Sequence, residues 1–303
     1  MGNAILVEDL TKRFGDREVV CKVSFSVDVG EIFGFLGPNG AGKTTSIRMM
    51  IGEIPRDSGR IEVMGLPVPE AQTQLKLLMG VVPDHQNLYD RLTVRQNFTL
   101  FAKLYGIPIK RVDEMIELVD LKSHADMLAS ELSRGLRQRT LIGRGLLHGP
   151  KVFFLDEPTS ALDPHSAKGI RNLIESLKSM GTTVLLTTHY MEEANNLCDH
   201  IAIIHHGSIV AVDTPDALKM RFGKPTMEVT LSCENGKPFE VIEVPLNDSL
   251  GAKTLSHLLE SKRVIKIHSQ EATLEEVFMN LTGDSWKEDL CKGPSGKNNH
   301  VCQ

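Results

Sequence analysis

One stretch constrains the fold of this chain more than any other. Ile32-Phe33-Gly34-Phe35-Leu36 runs directly into Gly37-Pro38-Asn39-Gly40-Ala41-Gly42-Lys43-Thr44, and a helical pattern begins near Lys43 and continues to Met50. The spacing is G-x-x-x-x-G-K-[ST] in strand–loop–helix order, which is the context a phosphate-binding loop requires. Glycines let successive backbone N–H groups turn inward around a phosphate, and the helix N-terminus adds positive potential. Lys43 is then expected to reach the β- and γ-phosphates, Thr44 to offer its hydroxyl to Mg²⁺, and Thr45 to bond the α-phosphate. Such a loop needs a buried strand ahead of it and a helix packed on a mostly parallel sheet behind it.

Further along, the apolar run Val152-Phe153-Phe154-Leu155 delivers Asp156 and Glu157 to a strand end. Acidic residues are common at strand ends. After a phosphate loop they read as a Mg²⁺ ligand (Asp156) and a group that polarises the attacking water (Glu157), help worth about 10²–10⁴ in rate. His189 follows a strand over 182–187, one strand beyond Glu157, where sheet neighbours can bring it near a γ-phosphate. His205-His206 before Gly207 reads as a turn, with no carboxylate or Cys at metal-ligand spacing.

Composition excludes several classes. The formal net charge is -5 with no basic block, so nucleic acid is not an expected partner. No apolar run approaches the roughly 20 residues that span a bilayer, and the N-terminus has no basic-then-apolar signal pattern. The five cysteines are scattered without a Cys-x-x-Cys and read as reduced thiols of a cytoplasmic protein.

The chain orders as β-rich segments over 3–9 and 19–36, the loop and its helix, strands ending at Val63 and Val82, and a mostly helical stretch from about Thr93 to Leu147. Strand and helix then alternate through residue 205, followed by a helix over Pro215 to Phe222. Near Gly223-Lys224-Pro225 the style changes. Residues 226–232 and 239–244 alternate as strands, 249–260 read as a helix, and Thr273 with Glu276 forms a capping box ahead of Leu274, Val277, Phe278 and Leu281 on one face. The expected fold is therefore α/β: a P-loop NTPase cassette over 1–222 with a mostly parallel sheet, an N-terminal antiparallel β subdomain and a helical insert at about 87–147. A small α/β accessory domain is expected over 223–283 and a polar, disordered tail over 284–303.

Leu132-Ser133-Arg134-Gly135-Leu136-Arg137-Gln138-Arg139, ahead of the Asp156 strand, resembles the signature sequence of ABC-type ATPases. Ser160-Ala161-Leu162-Asp163 resembles that family's D-loop and His189 its switch histidine, so the resemblance covers about the first 220 residues in the family's order. It implies an ATP-hydrolysing cassette, with ATP and Mg²⁺, working as a head-to-tail homodimer or heterodimer around two sandwiched nucleotides. Ser133, Arg134, Gly135 and Gln138 would face the ATP of the opposite subunit. Phe14 corresponds to the aromatic that stacks on adenine, a contact worth about 1–3 kcal/mol by analogy with base–aromatic pairs, although a core role for it is equally open.

Two positions depart from the pattern. Val82-Pro83-Asp84 stands where a Gln usually contacts Mg²⁺ and water, so Asp84 takes that position with a shorter, charged side chain. Arg134 stands where the signature usually has Gly. Segments Leu88–Arg95 and Ala272–Gly283 resemble the exporter-like branch that includes drug- and sodium-efflux ATPases. That implies separate membrane-spanning permease subunits, docking around the helical insert and the Asp84 loop, and a place on the cytoplasmic face of the membrane. Two other readings stay open: a non-transport ABC protein, whose usual tandem cassettes, coiled-coil insert and zinc-site cysteines are absent, and a weakly hydrolysing nucleotide-gated switch.

Overall fold

The computed structural model describes residues 2–85, 87–223, 226–232, 239–245, 249–261, 263–270 and 272–283. The expected tail over 284–303 lies outside them. Contacts divide the chain into two compact units, with the break between Val212 and Asp213.

The larger unit begins with β1 (Asn3–Phe14) and β2 (Arg17–Asp28), paired antiparallel and bulged at several points. The alternation Val20, Val23, Phe25, Val27 puts these side chains in the core, whereas Val29 is exposed in the turn that precedes the next strand. That strand, β3 (Ile32–Leu36), is buried at every residue and leads through the glycine-rich loop into α1 (Lys43–Met50). Next come β4 (Ser58–Val63), the short β5 (Leu66–Pro67), α2 (Gln72–Leu78) and β6 (Met79–Val82). The first sheet has the order β2-β1-β4-β5 and is the expected antiparallel subdomain.

The insert is three helices: α3 (Val94–Leu104), α4 (Lys110–Leu118) and α5 (Arg134–Leu146). A full capping box of Thr93 with Gln96 starts α3; such caps contribute about 0.5–2 kcal/mol. Gly106 (φ 66°) and Pro108 then turn the chain toward α4. Gly143 lets α5 approach Phe98, because a Cβ there would lie 2.6 Å from the Phe98 ring.

After the insert, β7 (Val152–Asp156), α6 (Pro164–Ser179), β8 (Thr183–Thr188), α7 (Met191–Leu197), β9 (His200–His205) and β10 (Ser208–Asp213) complete the second sheet. Its order is β10-β9-β3-β8-β7-β6, and the pairs β9–β3, β3–β8, β8–β7 and β7–β6 are parallel. Strands β3, β7 and β8 are buried throughout, as parallel strands covered on both faces must be. His206 (φ 47°) and Gly207 (φ 82°) form the expected turn, here between β9 and a strand, β10, that the sequence reading did not anticipate.

The smaller unit holds α8 (Pro215–Phe222), β11 (Thr226–Leu231), β12 (Glu240–Pro245), α9 (Ser249–Glu260), β13 (Val264–Gln270) and α10 (Leu274–Thr282). Its antiparallel sheet has the order β12-β11-β13, with a core around Val229, Leu231 and Val244. The Thr273–Glu276 capping box forms as expected. Helix α8, assigned from sequence to the cassette, belongs to this unit: Leu218 is buried and Asn280 Nδ2 donates to the Phe222 carbonyl at 2.8 Å.

Close approach of α7 to β3 depends on Gly34, where a Cβ would lie 2.7 Å from Cys198 Sγ and 2.9 Å from Ile201 Cγ2. Overpacking of this kind costs about 1–3 kcal/mol. Gly34→Val is therefore expected to lower the urea midpoint of the larger unit's transition, and an unchanged midpoint would refute this packing.

Candidate active site

The phosphate loop is held open by backbone geometry. Gly40 (φ 82°) and Gly42 (φ 107°) both lie in the left-handed region, and a Cβ on Gly42 would meet the Val19 carbonyl at 2.7 Å. Helix α1 begins without a side-chain cap and without an acid in its first turn. Its first N–H groups therefore remain available to an anion. Lys43 is 5% exposed, and its ammonium donates to the Gly37 and Pro38 carbonyls at 2.7 and 3.1 Å. Burial lowers its pKa, against the carboxylates of Glu157 and Asp156.

Four strand ends bring the expected residues together. The ammonium of Lys43 stands 3.3 Å from Glu157 Oε1, and His189 Nδ1 stands 3.1 Å from Glu157 Oε2. Burial pushes the Glu157 carboxyl up, but His189 and Lys43 outweigh it and hold the carboxyl below its ordinary value. Asp156 behaves oppositely. Burial raises its pKa, Asp84 and Glu157 add to the rise, and the hydroxyls of Thr187 and Thr44 act against it. Asp84 follows the end of β6, whose Val82 pairs with Leu155, and its carboxylate meets the His85 ring at 3.0 Å.

Thr187 was not anticipated, yet it organises both acids. Its hydroxyl donates to Asp156 Oδ1 and accepts from the Glu157 N–H at 3.0 Å, while its carbonyl accepts from that same N–H at 3.2 Å. These bonds hold Glu157 at φ 48°, a backbone conformation uncommon for a residue with a side chain. The available signal was Thr187-Thr188 closing an otherwise apolar strand.

Oxygen donors of Thr44, Asp156 and Asp84 beside an open anion cradle fit Mg²⁺, which takes one or two protein carboxylates and completes its shell with phosphate and water. No group of three His, Cys, Asp or Glu arranged to hold a metal by themselves occurs among the described residues.

Other expected residues lie apart from this cluster. Ser133 is the N-cap of α5, accepting from the Leu136 N–H at 3.3 Å; Arg134 is exposed, while Gly135 and Gln138 are buried. Among the described residues none of these four bonds the phosphate loop. Asp163 caps α6, its Oδ1 accepting from the N–H groups of His165 and Ser166 at 3.1 and 3.0 Å. Phe14 is 53% exposed at the end of β1, which excludes the core alternative. A separate cleft of about 360 Å³ lies between β6 with α2 and helices α3 and α5, lined among others by Gln72, Phe101, Tyr105, Arg144 and His148.

The family model for ABC transporters matches residues 20–160. Over 299 residues the chain is 35% identical to Nod factor export ATP-binding protein I of Rhizobium etli, covering 92% of this chain and 93% of that protein. The protein of the same name from Bradyrhizobium diazoefficiens is 41% identical over 219 residues, covering 71% and 72%. Among solved structures, cbiO1 from Clostridium perfringens, part of the ABC transporter complex cbiONQ, superposes with a TM-score of 0.68 at 26% identity, covering 73% of this chain and 92% of that one. A nucleotide-free ATP-binding cassette from an ABC transporter gives a TM-score of 0.63 at 27% identity, over 70% and 92%.

Lys43 and His189 hold Glu157 ionised against burial, so removing either must release it upward. The carboxyl is depressed in the folded state; the stability it contributes is present above its ordinary pKa and is lost as pH falls through the depressed value. Lys43→Met and His189→Ala are each expected to raise the Glu157 titration, read by ¹³C carboxyl NMR. An unmoved titration in both variants would refute the pairing.

Proposed function

As a member of the ABC transporter family, to which it belongs, this chain is an ATP-binding and ATP-hydrolysing subunit, and we propose that it powers export through separate membrane-spanning subunits. The observation that carries the catalytic part is the convergence of Lys43, Asp156, Glu157 and His189 at neighbouring strand ends. Lys43 and the N–H groups of the loop Gly37–Thr45 bind the phosphates. Glu157, kept ionised, accepts a proton from the attacking water, and His189 orients Glu157 through Nδ1 while its ring faces the γ-phosphate. Phe14 offers an exposed ring for adenine stacking.

Mg²⁺ would be held by Thr44, Asp156 and Asp84; bound there it neutralises charge on the phosphates. The carboxylates of Asp84 and Glu157, which add to the burial that raises Asp156, favour a cation at this point. Asp84 adds charge where an amide is usual in the family.

A second copy or a related subunit completes the site. Ser133 and the first-turn N–H groups of α5 that its hydroxyl leaves open suit a phosphate presented from outside the chain, and Arg134 adds a cation beside them. Among the described residues no helix is long and apolar enough to cross a membrane. The membrane-spanning partners would dock at the cleft between β6 and the α3–α5 layer, next to the Asp84 loop, which sets this subunit on the cytoplasmic membrane face. Export as the direction follows the names of the relatives, and the smaller unit, from Asp213 onward, serves as its accessory domain.

Glu157→Gln is expected to bind ATP while turnover falls about 10²–10⁴-fold, with a closed dimer accumulating on gel filtration. Unchanged turnover would remove Glu157 from the role of base. Arg134→Gly is expected to shift dimer affinity for ATP and its salt dependence without abolishing hydrolysis; identical behaviour to the parent would make Arg134 a neutral variation.

A further inference from the structure

Glu193 is 3% exposed, on the first turn of α7. A carboxyl in such a place is costly to bury unless it is bonded. One oxygen is: Oε1 accepts from the Thr159 hydroxyl at 2.7 Å. The other, Oε2, is buried without a hydrogen-bond partner among the described residues. Burial raises the carboxyl's pKa, against the Thr188 and Thr159 hydroxyls and the more distant Arg171 and His189. A solvated helix turn needs no such arrangement, and a Leu or Met would fill the space without the desolvation cost.

What Glu193 joins is more informative than its burial. Thr159 is 4% exposed and lies in the loop from Glu157 to Asp163. That loop has two left-handed non-glycine residues, Glu157 (φ 48°) and Ala161 (φ 57°), on either side of Thr159. Such conformations persist only where surrounding contacts enforce them. On the other side, Thr188 is 1% exposed, immediately precedes His189, and its hydroxyl accepts from the Tyr190 N–H at 3.0 Å. Glu193 follows on the helix that this turn begins. It is therefore a second side-chain link, besides the Glu157–His189 contact, between the segment carrying Glu157 and the segment carrying His189.

We propose that Glu193 is a positioning residue for ATP hydrolysis, clamping the Glu157–Asp163 loop to the His189 turn through the Thr159 hydroxyl, so that base and histidine hold one geometry. The inference rests on the reading of Glu157 as the base. Small displacements of a reacting group are enough to matter, since about 1 Å can cost about 10²-fold in rate. The bond to Thr159 lies outside the phosphate loop, so nucleotide affinity is not expected to follow.

The test uses the full chain with its ATPase turnover expressed per nucleotide bound. Glu193→Ala and Thr159→Val are each expected to lower kcat about 10–100-fold with KM for ATP within about twofold. The double variant should be no slower than the worse single one, because both remove the same link. Thr159→Ser and Glu193→Gln, which keep the hydroxyl and the accepting oxygen, should restore most of the rate at the parent's KM. Multiplicative losses in the double variant would overturn the proposal, as would a fall in Tm with kcat per bound nucleotide unchanged. Thr159→Ser guards against a Glu193→Ala chain that fails to fold: if Thr159→Val is slow and Thr159→Ser is not, the link stands. Glu157→Gln run alongside separates the two readings, because full turnover there defeats the base assignment whatever the Glu193 variants do.

Discussion

The position of β8 in the parallel sheet is the constraint on which the site depends. It pairs with β3 on one side, Leu36 against Thr188, and with β7 on the other, Asp156 against Thr187. The strand formed last in sequence among these three is thus wedged between the one that launches the phosphate loop and the one that delivers the two acids. Each consequence follows from that register. The Thr188 carbonyl accepts from the Gly37 N–H at 3.3 Å, the Thr187 hydroxyl reaches Asp156, and His189 reaches Glu157. All of these groups sit at the C-terminal ends of parallel strands, where open α/β sheets place their ligands. Below them the strands are wholly apolar, so the charges lie at the edge of a low-dielectric layer and act on one another strongly. Burial raises both Asp156 and Glu157; Lys43 and His189 outweigh it only at the second. Two adjacent carboxyls thereby acquire opposite tendencies, one suited to facing a cation and one to accepting a proton.

Much of this was legible in the sequence because it is local. The phosphate loop carries its own backbone requirements, α1 runs from Lys43 to Met50 as its pattern indicates, and the Thr273–Glu276 capping box is written in residues three apart. The pairing order of strands is not local, so the sequence places His189 one strand beyond Glu157 but cannot supply the threonines that connect them. Glu193 is the sharpest case. Glu192 and Glu193 stand side by side in the first turn of α7, where acids are favourable simply because of the helix dipole. Only packing distinguishes them: Glu192 is exposed and Glu193 is buried against Thr159. Helix α8 was misassigned for the same kind of reason, since its partner α10 lies far along the chain.

Helix caps connect this cluster to the signature segment. Asp163 does not hang free in the loop after Glu157; its carboxylate is bonded by the Ser166 hydroxyl and by the N–H groups of Ser166 and His165, and that bonding keeps its pKa low. Ser166 in turn abuts α5, where a Cβ on Gly135 would lie 2.5 Å from its hydroxyl oxygen. Glycine at 135 is thus required by packing within the chain as well as by any phosphate outside it. The contact makes a continuous path: Ser133 and Arg134 begin α5, Gly135 rests on the first turn of α6, Asp163 caps that turn, and Thr159 ties the same loop to Glu193 beside His189. The exposed start of α5 is thus joined by contacts through α6 to the loop that carries Glu157. Arg134, a cation at the positive end of a helix dipole, is unfavourable there by about 0.3–1 kcal/mol until an anion arrives. The start of α5 therefore suits an anion, as the phosphate loop does.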